Sequence, residues 1–290
     1  MTIGEHEVVK NHLLYLVKNR TEDNLIPRLL YYENYEWRIV RKTLFRKLNF
    51  PELSADQIAK RSVKISVLGE HHTAAVDSNL LVIHGLMRLS QVDKSFNLAD
   101  HKQEIIELFD FYDTRLKEGL IKQPAYGDWQ DSVKRDDRTS YVSILYWKVM
   151  NELHALGWIE DDPKKLQAII METFFDEKAG IMRTMPGRDQ YSLDSNLLAI
   201  EFGFFDKDNA KLVYEEIKKT QLWNSGGLPG MCTFPDYEYN EKSYSTKTVG
   251  LENYHDSMNW SWLLGKSLLV ASMMGDKEEI KSVVTLYWKV

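Results

Sequence analysis

The chain has 290 residues, 43% of them hydrophobic and only 7 of them Pro, so it can bury a sizeable core and is neither disordered nor collagen-like. A net charge of −6, with the signs interspersed, argues against nucleic acid or an anionic membrane as the main partner. The single cysteine, Cys232, excludes an intrachain disulfide and a cysteine-cluster metal site, and it fits a reducing compartment.

The opening residues, Met1-Thr2-Ile3-Gly4-Glu5-His6-Glu7, are acidic and polar where a signal peptide needs a basic end and an apolar run. No stretch approaches the roughly 18 uninterrupted apolar residues that cross a bilayer. A cytoplasmic location is expected. The pattern predicts a first helix over residues 8–17, with less clear helical stripes over 37–48 and 54–68. Residues 77–87 are apolar nearly all round (Leu80, Leu81, Val82, Ile83, Leu86, Met87), as in a helix buried on every side. Residues 101–120 differ: Ile105, Leu108, Phe109, Tyr112 and Leu116 form one stripe opposite a charged face.

The alternation repeats. A sparsely charged helix is expected over about 134–157, carrying Val142, Leu145, Tyr146, Val149, Met150 and Leu153. An amphipathic one follows, opened by Asp161-Asp162-Pro163, since an acid followed by Pro is a good helix start. Residues 197–205 read as a short apolar helix and 210–217 as an amphipathic one. Residues 260–274 are again almost uninterrupted apolar, and 277–290 amphipathic. These make four buried–exposed pairs in a row.

An Asp-Ser dipeptide stands before each buried segment: Asp77-Ser78, Asp131-Ser132, Asp194-Ser195 and Asp256-Ser257. Asp and Ser are good helix N-caps, which explains the residue types but not their recurrence. A period of roughly 60 residues is that of a repeated αα-hairpin. Successive hairpins running the same way would gather the four junctions at one rim, where helix dipoles also converge. Solenoid repeats are usually shorter, about 33–47 residues, so the expected fold is an all-α, (α/α)-toroid of helical hairpins, as a single domain over residues 1–290. A six-hairpin ring would take about 360 residues at this period, so the (α/α)6-like toroid is expected to be one hairpin short.

The junction Gly127-Asp128-Trp129-Gln130-Asp131-Ser132 holds two carboxylates around a Trp. A Trp offers a flat apolar face on which a sugar ring can stack. A carboxyl beside it is partly desolvated, which raises its pKa and suits it to donate a proton. The bland alternative is a solvated loop whose Asp131 and Ser132 only help start the next helix. The 8 Trp and 15 Tyr are many for this length, and Trp129, Trp223, Tyr237, Tyr239 and Tyr254 stand in Gly-, Asp- and Asn-rich junctions, as a carbohydrate groove requires.

At these residues the chain resembles the six-hairpin glycosidases, and most of all the amylo-α-1,6-glucosidase domain of glycogen-debranching enzymes and their prokaryotic relatives. Asn24-Leu25-Ile26-Pro27 stands where that family has G-x-I-P after a first helix. Val76-Asp77-Ser78-Asn79-Leu80-Leu81-Val82-Ile83 is similar to its V-D-A-x-L-W-F-I segment, and Gly127-Asp128-Trp129-Gln130-Asp131 to its T-W-M-D or D-W-A-D segment. Tyr254-His255, followed by Trp260 and Trp262, is similar to Y-H-x-G-x-x-W-P-W. The four segments come in the family's order and cover most of the chain.

The resemblance implies an inverting glycoside hydrolase acting on an α-linked gluco-oligosaccharide or related small glycoside, with Asp131 as general acid. A second carboxylate would activate water from the opposite face. Asp77, Trp129, His255 and Trp260 would line the sugar subsite, and Asp128, Asp194 and Tyr254 join them as candidate substrate-binding residues. Ser257 replaces the family's Gly, Ser261 its Pro, and Asn259 a Glu that serves some relatives as base. In other relatives the base lies in a later hairpin, but after Trp262 the only acids are Asp276, Glu278 and Glu279. Glu252, in a loop near the rim, is the first candidate for the base; Glu201 is expected instead to satisfy a buried polar partner.

Other patterns are set aside. Glu70-His71-His72 has no third metal ligand at a fixed spacing. Asp136-Asp137 resembles the magnesium-binding acids of α/α terpene cyclases but is surrounded by Lys134, Arg135 and Arg138, as in a solvated charge cluster. Gly226-Gly227-Leu228-Pro229-Gly230 lacks the Lys of a phosphate loop and reads as a flexible loop or lid. No cofactor and no nucleic-acid partner are expected. Two further readings stay open: a sugar-binding toroid without a base, and an α/α-barrel lyase, epimerase or cyclase.

Overall fold

The computed structural model describes residues 5–31, 64–69, 71–225 and 227–287. Over these the helices are α1 (Glu5–Lys18), α2 (Ser78–Val92), α3 (Lys102–Asp110), α4 (Ser140–Ala155), α5 (Pro163–Phe174), α6 (Leu193–Glu201), α7 (Lys207–Lys218), α8 (Tyr244–Thr248), α9 (Ser261–Met274) and α10 (Lys277–Tyr287). Among the described residues strands are confined to short antiparallel pairs, such as Leu29–Tyr31 with Lys64–Ser66 and Tyr191–Ser192 with Thr233–Phe234.

The sparsely charged helices pack on one another in sequence order, α1 on α2, α2 on α4, α4 on α6 and α6 on α9. Each also carries its amphipathic successor: α3 lies on α2, α5 on α4, α7 on α6 and α10 on α9. This is the inner-and-outer arrangement of an (α/α) toroid. Its cause is the alternation of the sequence, since an all-apolar helix has to be covered on every side while an amphipathic one closes the layer with its polar face in water. Helix α4 is deeply set, with Val142, Ile144, Val149 and Leu153 fully buried. Each such side chain contributes about 1.5–3 kcal/mol by leaving water.

The helix ends follow local chemistry. Thr139 caps α4 by accepting the Val142 N–H, Asp162 accepts from Lys164 ahead of Pro163, and Asp206 accepts from Asn209. Gly275 closes α9 in the left-handed region at φ 74°, donating to Ala271 and Ser272 carbonyls. A side chain there is strained, so Gly275→Ala is expected to lower stability by about 1 kcal/mol, read as a shift in the denaturant midpoint.

Several boundaries differ from the sequence expectation. The helix expected from about 134 begins at Ser140, because the preceding residues are held elsewhere: the Lys134 N–H donates to the Glu241 carbonyl and Val133 pairs with Lys242. Asp131 and Ser132 therefore start no helix. The helix expected over 101–120 ends at Asp110, and the chain turns back as a hairpin, Leu116–Lys117 against Leu120–Ile121. Its two turn residues, Glu118 and Gly119, both have positive φ (53° and 78°), as a tight hairpin demands. Helix α6 starts before Asp194 and ends at Glu201, short of Phe202–Phe205. Of the weak 54–68 stripe, residues 64–66 form a strand rather than a helix. The 37–48 stripe and residues 54–63 lie outside the described residues.

The repeated Asp-Ser-Asn segment has a specific structural role. Asn79 and Asn196, both fully buried, clamp the backbone that arrives at each hairpin. Asn79 accepts from the Ile26 N–H (2.8 Å) and donates to the Asn24 and Leu108 carbonyls, while Asn196 bridges the Met182 N–H (2.9 Å) and carbonyl. The Asp two positions earlier in each, Asp77 or Asp194, turns its carboxylate instead to the Trp129–Gln130 segment.

Candidate active site

Asp77 occupies the N-cap position of α2, yet its side chain makes no capping bond. Its Oδ2 instead accepts the backbone N–H of Trp129 (3.1 Å) and the hydroxyl of Tyr141 from α4 (3.3 Å). The Trp129 indole N–H donates to Asp194 Oδ2 (2.6 Å), to which Gln130 Nε2 also donates (3.0 Å). Two junctions thus grip one tryptophan at both its polar ends. Around the Trp129 ring stand His255, Trp260 and Trp262, all edge-to-face, with centroids 5.1, 5.4 and 4.7 Å away. Such contacts are worth about 0.5–1.5 kcal/mol each beyond burial. The His255 ring stacks flat on Trp260 (2° between planes), and its Nδ1 meets the Ser132 hydroxyl at 2.6 Å. Trp260 donates its own indole N–H to the Tyr254 carbonyl (2.8 Å). The second and fourth junctions therefore arrive at the same place, Asp131 through its neighbour Ser132 and Asp256 through its neighbour His255.

Asp131 is the most open carboxyl in this group, with 48% of its side chain exposed. Arg28 holds it, Nη2 to Oδ2 at 3.0 Å, while Nη1 donates to the Tyr126 carbonyl (2.9 Å) and the Thr73 carbonyl (3.3 Å). One guanidinium thus ties the Thr73 and Tyr126 segments to Asp131. Lost hydration pushes the Asp131 carboxyl above the usual aspartate range, against the opposing pull of Arg28. Because the side chain is half open, the push is smaller than at Asp77.

Asp77, 4% exposed, is pushed up to about 7, first by burial and then by the nearby Asp128 carboxylate. Its folded pKa thus lies above its value in the unfolded chain, about 3.9. The neutral form is the one that folding favours, so the contribution to stability is whole below about pH 4 and is lost as pH rises through about 7. A urea midpoint that falls between about pH 4 and 8 in the wild type, and falls less in Asp77→Asn, is the expected result. Superimposable profiles would contradict it. His255, 1% exposed, is held well below the ordinary histidine range by burial and by Arg135, which keeps it neutral.

The structure sorts the sequence-derived candidates. Asp77, Trp129, Tyr254, His255 and Trp260 are together, with Asp131 at the edge of the cluster. Asp194 belongs to the cluster as the fully buried support of Trp129 rather than as an open surface. Asp128 is spent on a buried ion pair with Arg135 (2.5 Å), both 1% exposed, and also accepts from Gln123 (2.9 Å) and the Gln130 N–H (2.9 Å). Glu252 is exposed in the loop after α8, and Glu201 pairs with Lys266 at 2.6 Å, a half-buried ion pair (19% and 31% exposed) rather than the buried partner expected. Asn259 is exposed and donates to the Ser225 carbonyl. The glycine-rich loop is tied to the site, since the Trp260 N–H donates to the Gly230 carbonyl (2.9 Å).

Sequence reasoning missed Arg28, Tyr141 and Arg135. Arg28 directly follows the Asn24–Pro27 motif, which was the one available signal; Tyr141 lies in the first turn of an inner helix, where a polar tip could have been suspected. His71, set aside as a metal ligand, stacks on Tyr126 with centroids 4.1 Å apart.

The fold is that of a helical toroid with acids and aromatics gathered around a tryptophan. No protein-family model matches the sequence, and no curated protein matches it. Among solved structures the chain is similar to a rhamnosidase from Klebsiella oxytoca with rhamnose bound, at 11% identity and a TM-score of 0.63, over 99% of this chain and 46% of that one. The chain thus spans less than half of that enzyme. It is also similar to a glycosidase, at 10% identity and a TM-score of 0.57, over 99% of this chain and 84% of that one. A variant of that glycosidase was solved in complex with glucose. At these identities the likeness establishes the shared fold.

Proposed function

We propose that the chain is a glycoside hydrolase that binds a sugar ring over the Trp129–His255–Trp260 cluster and cleaves its glycosidic bond with Asp131 as proton donor. The observation that carries this reading is the pairing of roles around Trp129. One carboxyl, Asp131, is half open and raised, while two others, Asp77 and Asp194, are buried and fix the aromatic cluster. Donor and positioning groups are separated in the way acid catalysis needs. The likeness in fold to a rhamnosidase and to a glycosidase crystallised with glucose supports it. The substrate is an α-linked gluco-oligosaccharide or related small glycoside, and hydrolysis inverts the anomeric centre, with Glu252 activating water on the face opposite Asp131.

A second reading, a sugar-binding toroid that does not hydrolyse, has one specific support: Asn259 is an amide that cannot take a proton. Reducing-sugar release from a panel of α- and β-linked oligosaccharides, by wild type and by Asp131→Asn, separates the two. Release that depends on Asp131 is the expected result. Sugar binding by calorimetry without any release favours the binding toroid.

A further inference from the structure

Arg28 is held more firmly than a single ion pair requires. Leu29 pairs with Ser66, which brings Arg28 up to Gly69 and Thr73. There the Gly69 N–H donates to the Thr73 carbonyl (2.9 Å) and the His72 N–H to the Gly69 carbonyl (3.0 Å). Gly69 lies against the guanidinium, since a Cβ at this position would stand 2.7 Å from both Cζ and Nε of Arg28. Only a residue without a side chain leaves room for the group where it sits. Nη1 then donates to the Thr73 (3.3 Å) and Tyr126 (2.9 Å) carbonyls, while Nη2 faces Asp131 Oδ2 (3.0 Å) and the Asp128 carbonyl (3.5 Å). His72 and Tyr126 have φ of 55° and 61°, conformations that a residue with a Cβ adopts only when its surroundings impose them.

Among the described residues three of these four oxygens are neutral carbonyls, and Asp131 is the one anionic group that the cation meets. An arginine can only donate. The oxygen it faces must therefore accept in both protonation states of the carboxyl, so Oδ2 stays carbonyl-like when Asp131 is neutral. The proton then belongs on Oδ1, which has no hydrogen-bond partner among the described residues, on a side chain 48% exposed. A carboxyl free to carry its proton on either oxygen, or to turn, would present it to a departing oxygen only part of the time. Proton transfer gains its rate from a group already in position.

We propose that Arg28, seated against Gly69, is a positioning residue for the acid step: by claiming Oδ2 of Asp131 it places the transferable proton on Oδ1 and holds that oxygen in one orientation. The inference rests on the hydrolase reading and adds the group that aims its proton donor. The charge of Arg28 has a second consequence. It favours the ionised carboxyl and so opposes the lost hydration that raises Asp131; His71 acts in the same direction as Arg28, and Asp128 against it. Removing Arg28 raises the Asp131 pKa further, and an acid that works only when protonated then keeps working to higher pH.

The test uses Arg28→Gln, Arg28→Lys and Gly69→Ala, assayed on the best disaccharide of the α- and β-linked panel and on the matching glycosyl fluoride, which needs little acid help to depart. Arg28→Gln is expected to lose about ten-fold or more in kcat on the disaccharide and less than about three-fold on the fluoride, with the basic limb of its pH profile moved to higher pH. Arg28→Lys keeps the charge without the fork, so its limb should stay near that of the wild type while kcat remains low. Gly69→Ala pushes the guanidinium off Asp131 and should repeat the split between the two substrates, which keeps the test alive if Arg28→Gln does not fold. In an Asp131→Asn background there is no proton to aim, and either Arg28→Gln or Gly69→Ala should cost no more than about two-fold further. Equal losses on both substrates, an unmoved basic limb in Arg28→Gln, or full additivity with Asp131→Asn would make Arg28 a structural brace and overturn the inference, leaving the hydrolase reading intact. A wild type that releases sugar from no member of the panel would overturn the reading and the inference with it.

Discussion

Asp131→Asn is expected to lower kcat on a sugar leaving group by about 10²- to 10⁴-fold, the usual contribution of a positioned proton donor. Folding is expected to survive, because the side chain is half exposed and Arg28 keeps its bonds to the Tyr126 and Thr73 carbonyls. Arg28 is only 10% exposed, but the Asp131 side of the pair is half open and Arg28's other bonds remain. A cost of about 1 kcal/mol and a small shift in the unfolding midpoint are therefore expected. The loss should appear in kcat and kcat/KM together, as for an interaction made only in the transition state. The substitution keeps the shape of the side chain and an oxygen facing Arg28, and removes only the proton that can be given away. A variant that loses activity and stability together would instead mark Asp131 as a structural anchor for Arg28.

The largest stability effect is expected from the Asp128–Arg135 pair. Both side chains are 1% exposed, so Arg135→Met leaves a carboxylate buried without its cation, and a cost of about 3–5 kcal/mol is expected from urea unfolding. Replacing both residues by apolar ones, as Asp128→Leu with Arg135→Met, should recover much of that, since a buried ion pair repays little more than its own desolvation. Recovery of stability should not bring back activity. Asp128 also accepts the Gln130 N–H and Gln130 in turn donates to Asp194, so the pair sets the turn that presents Trp129 and Asp131. A double variant that is stable and fully active would show the turn to be indifferent to the pair.

The fold was legible where the sequence obeys one physical rule over a long stretch. Alternation of all-apolar and amphipathic segments forces an inner and an outer layer, and the recurrence of Asp-Ser beside that alternation pointed to one shared end. The details failed where a distant partner outweighs local preference. Residues 134–139 have a helical composition, but the Glu241 carbonyl and the Asp128 carboxylate claim them first. Leu116 extends the stripe of α3 on paper, yet Glu118-Gly119 turns the chain back and leaves Leu116 40% exposed.

The site shows the same division. Asp77, Trp129, His255 and Trp260 were visible as a motif and are found together. Asp128 looked equivalent to Asp131 because both flank the Trp, but only a three-dimensional partner, Arg135, decides which of them is buried and spent. Arg28 had no periodicity or pair to announce it; what makes it matter is the convergence of the Thr73, Tyr126 and Asp131 oxygens on one guanidinium.

The central claim is that Asp131 gives a proton to the departing oxygen, and the most direct measurement is the activity of Asp131→Asn on a disaccharide against that on the matching glycosyl fluoride. Fluoride departs with little help from an acid, whereas a sugar alkoxide does not. The account predicts that the variant loses about 10²-fold or more on the disaccharide and keeps most of the wild-type rate on the fluoride. Equal collapse on both substrates would contradict it, and would move the proton donor away from Asp131.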